Sequence, residues 1–238
     1  MIITGTDTGV GKTVVTAGIA RLLRRQGCAV RVCKPVATGA SWVGGRWVSE
    51  DTIRLAEAAG IPGDLEAVTS WTFPDPVAPP VAARRQGVTL DLAELAEAVR
   101  RCHRPGAVLL VEGVGGLLCP LTERETVADL AAVLGLPLVV VARRSLGTLN
   151  HTLLTLEAAQ RRGLRVAGVV VNETVPPDTL ADATNVEELR RRITVPLLAV
   201  MPHQADPFAD EPPALAAVDW RGLCQTPSPP TPLPRNGG

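Results

Sequence analysis

Short, β-branched apolar runs alternate with helical stretches along this chain, and this alternation constrains the fold more than any other feature. The apolar runs predict strands at Ala29–Lys34, Ala107–Glu112, Leu136–Ala142 and Val166–Asn172. The predicted helices are Lys12–Gln26, Asp51–Ala59, Asp91–Arg104, Thr126–Leu134 and Leu149–Arg162. Continuous apolar strands are typical of sheets buried on both faces. The sequence therefore predicts an α/β fold of three layers, with a mainly parallel sheet covered by helices on both faces.

The length fits one domain. The chain has 238 residues and a mass of 25.0 kDa, which suffices for one sizeable core. We assign residues 1–224 to this domain. The remainder, residues 225–238, reads "QTPSPPTPLPRNGG" and is too rich in proline and small polar residues to bury much surface. We predict that this tail is disordered.

Composition excludes several classes of partner. The chain carries 24 Lys and Arg residues against 24 Asp and Glu residues, so it lacks the basic surplus of a nucleic-acid binder. The apolar run "LPLVVVA" is far shorter than a membrane helix, and no secretory signal is expected at the start. The five cysteines follow no C-x-x-C spacing, which suits a reducing cytoplasm better than a disulfide or zinc framework.

Four strand ends carry polar or glycine-rich stretches. In open parallel sheets, ligands bind outside the carboxyl ends of the strands. A first strand leads into "TGTDTGVGKT" and the later strands lead into "KPVATG", "EGVGG" and "NET". These stretches are therefore the candidate site.

The stretch "TGTDTGVGKT" is similar to a phosphate-binding P-loop, G-x-x-x-x-G-K-S/T. Gly11, Lys12 and Thr13 match the pattern and Gly9 supports it, but Thr6 stands where the first glycine belongs. A Gly/Thr-rich turn with an ordinary surface lysine is the alternative. A dinucleotide fingerprint fits less well, because its third glycine would fall on Val14. The alternation and this loop together predict a P-loop NTPase-like fold.

Asp7 separates this loop from that of the partitioning and cell-division ATPases, which carry an additional lysine at this position. A carboxylate close to a polyphosphate needs another interaction to stabilise it, such as a cationic substrate or a network through the metal. The partitioning-ATPase interpretation weakens accordingly.

The other strand ends supply a lysine and hard oxygen ligands. Lys34, held by Pro35, could neutralise charge on a transferred phosphoryl group, or could simply reach solvent from a strand end. Glu112 ends an apolar strand, where a carboxylate is costly unless it is paired or bound to a metal. Asp51 could join it on Mg²⁺ or could belong to a helix cap. With Thr13, these residues would give magnesium three oxygen ligands.

Several polar residues could either bind a ligand or cap a turn or helix. Asn172 suits a purine edge, but could equally cap a turn. Asn150 and His151 stand at a predicted helix start, where a capping asparagine is an equal alternative. His103 and His203 show no ligand-like spacing and are interpreted as incidental.

Taken together, "TGTDTGVGKT", "KPVATG", "SED", "VEGVGG", "LGTLNHTLLTLEA" and "VVVNE" resemble the ATP-dependent dethiobiotin synthetases of biotin synthesis. The match runs from Ile3 to about Pro202, in family order. The resemblance implies a homodimer that converts 7,8-diaminononanoate, CO₂ and Mg-ATP to dethiobiotin, ADP and phosphate. It implies no nucleic-acid or membrane partner.

The resemblance also implies a role for each matching residue. Lys12 and Lys34 would be catalytic, stabilising charge on phosphoryl and carbamate oxygens. ATP would be bound by Gly9, Val10, Gly11, Lys12, Thr13, Val14, Asp51, Glu112, Gly113, Val114, Gly115, Asn172, Glu173 and Pro202. Magnesium would be held by Thr13, Asp51 and Glu112. The diamine would be bound by Thr38 and, from the neighbouring subunit, by Gly147, Thr148, Leu149 and Asn150.

The sequence differs from the family pattern at one position, and three alternative functions are considered. Family members often have a histidine where "PVAPP" places Pro80. A partitioning-type ATPase switch is disfavoured by Asp7 and the zero net charge. A cobyrinic-acid-type amidotransferase would need a longer chain for its glutaminase domain. A non-catalytic P-loop module would have no need of acids and lysines at separate strand ends.

Overall fold

A six-stranded parallel sheet forms the centre of the molecule. The computed structural model describes residues 1–209 and 212–225. The sheet has the strand order β10-β9-β8-β1-β7-β2, and every neighbouring pair is parallel. Its strands are β1 (Ile2–Gly5), β2 (Val30–Cys33), β7 (Val108–Gly116), β8 (Leu138–Arg143), β9 (Val166–Asn172) and β10 (Leu197–Met201). Two further pairs of short strands lie outside it: β3 (Val36–Thr38) with β6 (Trp71–Phe73), and β4 (Ser41–Val43) with β5 (Arg46–Val48).

Helices cover both faces of the sheet. They are α1 (Lys12–Arg25), α2 (Glu50–Ala59), α3 (Pro79–Arg85), α4 (Leu92–Cys102), α5 (Val127–Leu134), α6 (Thr148–Arg161), α7 (Leu180–Arg192), α8 (Pro213–Ala216) and α9 (Trp220–Gln225). Strand β8 displays the layering, since Val139 and Val141 join the core cluster that contains α1 and α2 residues. Val140 and Ala142 face the opposite way and join a cluster with α7 residues. The predicted α/β fold of three layers is confirmed.

All of the predicted helices and strands are present with small shifts at their ends, and Val166–Asn172 is reproduced without change. One boundary was wrong in a way that matters for the site. The strand predicted to end at Glu112 continues to Gly116, so the "GVGG" stretch lies in β7 rather than in a loop. The parallel pairing of β7 with β1, which runs from Ile2 opposite Val111 to Gly5 opposite Gly116, explains this extension.

The sequence did not predict the two small sheets, helix α3 or four of the later elements, α7, β10, α8 and α9. Helix α7 has a recognisable start, because Thr179 and Asp182 form a reciprocal capping box. The predicted disordered tail begins at Gln225, which is the last residue of α9, and its other residues, 226–238, lie outside the described part of the chain. No helix in the described part combines the length and apolarity that crossing a bilayer requires.

Candidate functional site

The P-loop connects β1 to α1 in the strand–loop–helix arrangement that phosphate binding needs. Gly11 adopts a φ of 92° at the start of α1, a conformation that favours glycine. A Cβ atom at this position would lie 2.0 Å from Asn172 Nδ2. This amide also donates a hydrogen bond of 3.0 Å to the Val10 carbonyl oxygen, so the end of β9 braces the loop.

Lys12 is the first residue of α1 and is buried, which removes the surface-lysine alternative. Its Nζ atom donates a hydrogen bond of 3.2 Å to the carbonyl oxygen of Asp7, inside the same loop. Burial lowers the pKa of Lys12 below its ordinary value, although the charge of Glu112 acts in the opposite direction. An anion bound in the loop would therefore pair with the Lys12 ammonium group, which has little contact with water.

A second lysine joins the two candidate carboxylates. Lys34 lies just beyond β2 and is buried, so it does not extend to solvent. Its Nζ atom is 2.7 Å from Glu112 Oε1 and also donates to Asp51 Oδ2. Thr13 Oγ1 donates to the same Glu112 oxygen over 2.9 Å. The end of β2, the middle of β7 and the starts of α1 and α2 thus converge on one polar cluster.

The charges of this cluster stabilise each other. Burial by itself would lower the pKa of Lys34, but the carboxylates of Glu112 and Asp51 outweigh it and raise that pKa. Burial would raise the pKa of Asp51, but Lys34 outweighs it and the pKa is lowered. Lys34 is therefore held as an ammonium group and Asp51 as a carboxylate.

The donor set fits magnesium. Both Thr13 and Lys34 donate to Glu112 Oε1, while Oε2 is buried and has no hydrogen-bond partner. Within residues 1–209 and 212–225, no group of three or more His, Cys, Asp or Glu side chains could hold a metal by itself. Mg²⁺ commonly binds one or two carboxylates and completes its shell with water and substrate phosphates. Asp51, Glu112 and the Thr13 hydroxyl match that limited protein contribution.

These side chains line a cavity of about 370 Å³. Its lining comprises Thr8, Gly9, Gly11, Lys12, Thr13, Val14, Lys34, Thr38, Asp51, Glu112, Val114, Gly115 and Phe208. The structure thus brings together the predicted catalytic lysines, the predicted metal ligands and Thr38. Two cations, two anions and several backbone amides around one cavity can position a nucleotide and neutralise charge on a phosphoryl group.

Other residues predicted to bind ATP lie outside this lining. The Val10 side chain is fully buried, and a Cβ atom on Gly113 would press on Val127 of α5. Asn172 is bound to the P-loop, as described above. Glu173 and Pro202 follow the ends of β9 and β10. Their predicted contacts with ATP stay predictions.

The segment predicted to bind the substrate from the neighbouring subunit, residues 147–150, forms the start of α6. It does not line the 370 Å³ cavity. A second groove, of about 500 Å³, lies between the P-loop, the end of β7 and α6, and shares Thr8 and Gly115 with the first cavity. His151 and Leu154 of α6 line this groove, which connects the helix to the phosphate site.

Sequence reasoning missed the partner of Asp7. Arg143, the last residue of β8, places its Nη2 atom 2.6 Å from Asp7 Oδ2. This ion pair explains how a carboxylate is tolerated in a phosphate-binding loop. The rule about strand ends could have found Arg143, because it directly follows the predicted strand Leu136–Ala142. Phe208 was also missed, and no motif near it indicated a place in the cavity.

Comparison with known structures supports the fold alone. A MinC:MinD cell division complex from Aquifex aeolicus matches with a TM-score of 0.51 and 13% identity, covering 86% of this chain and 81% of that one. A ParA family ATPase from Chlorobium tepidum matches with a TM-score of 0.51 and 12% identity, covering 88% of each chain. Both are similar in architecture, which agrees with a P-loop NTPase-like fold.

Sequence comparison is more specific. A family model described as an AAA domain matches residues 1–207. An "ATP-dependent dethiobiotin synthetase BioD" of Anaeromyxobacter dehalogenans is 47% identical over 206 residues, which is 87% of this chain and 91% of the relative. Proteins of the same name from Aromatoleum aromaticum and Mycobacteroides abscessus are 43% and 42% identical, covering 84% and 86% of this chain and 89% and 87% of the relatives. The chain therefore belongs to the ATP-dependent dethiobiotin synthetase family.

Proposed function

We propose that the protein is a dethiobiotin synthetase, a ligase that uses Mg-ATP to close 7,8-diaminononanoate and CO₂ into the cyclic urea of dethiobiotin. One observation carries the proposal: Lys12 and Lys34, both buried, converge with Asp51 and Glu112 on a single P-loop cavity. The dethiobiotin synthetase name of the similar proteins supports the same activity. We further propose a cytoplasmic location, which suits five free thiols.

The reaction is proposed in three steps. An amine of the substrate adds to CO₂, loses a proton and forms a carbamate. The carbamate oxygen takes the γ-phosphoryl group of ATP and releases ADP. The second amine then attacks the carbamoyl carbon and loses a proton, phosphate leaves with the C–O electron pair, and the ring closes. Each step develops or moves negative charge on oxygen, so positioned cations are the main requirement.

The residues of the cavity are assigned to these steps. Lys12 would neutralise charge on the β- and γ-phosphates, and Lys34 would do so on the carbamate and phosphoryl oxygens. Thr38, which lines the same cavity, would orient the diamine. Thr13, Asp51 and Glu112 would hold Mg²⁺, whose bound form supplies charge neutralisation to the phosphates.

We also propose that the protein works as a homodimer, with Gly147–Asn150 of one protomer binding the carboxylate tail of the substrate held by the other. The start of α6 suits an anion, because its first backbone N–H groups have no partners within the helix. Leu118 and Leu154 line the adjacent groove and are 48% and 55% exposed, as expected of side chains that a second protomer covers.

One assay tests the activity. Release of ADP and formation of dethiobiotin, followed by mass spectrometry, should occur in equal amounts and only when diaminononanoate and bicarbonate are both present. Turnover that ignores the diamine would overturn the proposal. So would an absence of dethiobiotin with both substrates present. Stimulation by DNA would instead favour the partitioning-type switch.

A further inference from the structure

An ion pair outside the nucleotide cavity connects three strand ends. Arg144, just beyond β8, pairs with Glu173, just beyond β9. Only 20% of the Arg144 side chain and 8% of the Glu173 side chain are exposed, so the charges depend mainly on protein partners. The guanidinium group of Arg144 also donates, through Nε, to the carbonyl oxygen of Asp182 in α7.

Both carboxylate oxygens of Glu173 have protein donors. Oε1 accepts from Arg144, and Oε2 accepts from the backbone N–H of His203 over 3.1 Å. The backbone N–H of Glu173 donates to the Met201 carbonyl oxygen over 3.0 Å, at the end of β10. Glu173 is thus fixed between Arg144 on one side and the residues after β10 on the other.

The chain that follows β10 leads back to the nucleotide cavity. Residues 202–209 begin beside Glu173, and Phe208 lines the cavity. Two arginines hold the far end of this segment. Arg21 of α1 donates to the Phe208 carbonyl oxygen over 2.6 Å, and the Arg54 guanidinium lies 4.9 Å from the centre of the Phe208 ring. Its near end, at His203, depends on the Glu173 carboxylate.

We propose that the Arg144–Glu173 pair is a positioning device that holds residues 202–209 against the nucleotide cavity and so sets nucleotide affinity. Neither side chain lines the cavity, so neither is assigned a part in the chemical steps. This inference rests on the proposed binding of nucleotide at the P-loop. It gives Glu173 a different role from the direct ATP contact that the family resemblance implies.

The test compares single and double variants. Arg144→Met and Glu173→Gln should each raise the Kd for Mg-ADP about tenfold in isothermal titration calorimetry. In Arg144→Met, kcat at saturating ATP should stay within about twofold, because only positioning is lost. Arg144→Lys keeps the positive charge but loses the planar guanidinium group with its several donors. Its Kd for Mg-ADP should therefore lie between those of the unchanged protein and Arg144→Met. Since the two residues act as one unit, the double variant should be no weaker than the worse single variant.

A matched control and a second measurement separate positioning from general stability. Arg161→Met removes an exposed arginine from the Arg161–Glu157 pair on α6 and should leave the Kd unchanged. Amide hydrogen exchange in residues 202–209 should be faster in Arg144→Met than in the unchanged protein. Addition of Mg-ADP should slow this exchange in both proteins, but by a smaller factor in Arg144→Met.

The inference would be overturned by any of the following results. Variants with a lower Tm but an unchanged Kd would make the pair merely structural. A higher Kd in Glu173→Gln but not in Arg144→Met would mean that Glu173 contacts the nucleotide directly. If the unchanged protein fails to bind Mg-ADP, the proposed function fails as well; if it binds and the variants bind equally, only this inference fails.

Discussion

Glu112 is the residue on which the polar cluster depends. One of its oxygens accepts from Thr13 and Lys34, while the other is buried without a partner. Lys34 therefore pairs with the carboxylates of both Asp51 and Glu112. In the proposed function these two carboxylates would also hold Mg²⁺, so the charge of Glu112 would serve both the lysine and the metal.

We expect Glu112→Gln to retain the fold and to lose turnover by about 10²-fold, the order seen when one electrostatic contact to a transition state is removed. The amide keeps the shape and can still accept from Thr13 and Lys34, but it lacks the charge that a metal ligand needs. Raising Mg²⁺ in a steady-state assay should therefore restore part of the activity. A variant with a reduced Tm but unaltered turnover and Mg²⁺ dependence would show that Glu112 is a structural acid.

Because Lys12 is buried, we expect nucleotide binding to depend on pH. Burial lowers the pKa of Lys12 in the free protein, and phosphate oxygens in the loop should raise it again. Affinity for ATP should then fall as the pH rises through the free-protein pKa, and should level off above the pKa of the complex. Calorimetry at alkaline pH, above the range in which the nucleotide titrates, would measure this.

The control for this prediction is Lys12→Ala, which should bind ATP weakly and lack the alkaline decline. Its kcat should also fall by about 10²-fold or more, because charge stabilisation at the phosphates is lost. A well-folded Lys12→Ala protein that keeps the decline would assign the titration to another group.

At the scale of elements, the P-loop depends on β9 as well as on β1 and α1. Gly11→Ala should both strain the backbone and displace the Asn172 amide, since the added Cβ would lie 2.0 Å from Nδ2. Gly9→Ala is the matched control, because Gly9 also has a positive φ but no neighbouring atom within 4 Å of its Cβ position. We expect Gly9→Ala to cost about 1–2 kcal/mol of stability.

Gly11→Ala should cost more stability than this control and should weaken Mg-ADP binding more than tenfold, because the brace between Asn172 and Val10 is lost. Chemical denaturation and calorimetry would measure the two effects. Equal losses in both variants would mean that the backbone conformation alone matters and that Asn172 does not support the loop.

The elements that form the site were predictable because their signal is local. Lys34, Glu112 and Asn172 could be located from the sequence, because each stands at the end of a short apolar run. The Asp7–Arg143 pair could not, since it requires knowing that β8 lies beside β1. The hairpin of β4 and β5 was missed because its strands have three residues each and most of these are exposed, which leaves little hydrophobic pattern.

At the scale of the whole molecule, we expect the groove beside α6 to be part of the proposed dimer interface, where a new charge would prevent association. Leu154→Asp should give a monomer with greatly reduced turnover, since in the proposed dimer residues 147–150, which bind the substrate carboxylate, come from the other protomer. Leu180→Asp is the matched control, because Leu180 is an 81% exposed leucine at the start of α7. Sedimentation velocity and the dethiobiotin assay would measure both variants. A Leu154→Asp dimer with ordinary activity would contradict this interface.

The sequence separation within the polar cluster affects how the protein folds and unfolds. Thr13 lies 99 residues from Glu112, and Lys34 lies 78 residues from it, so the cluster can form only after β1, β2 and β7 have paired. Contacts of such high contact order are expected late in folding, after the entropy of closing the intervening loops has been lost. A nucleotide that recognises the finished cluster should therefore slow unfolding while leaving the refolding rate nearly unchanged.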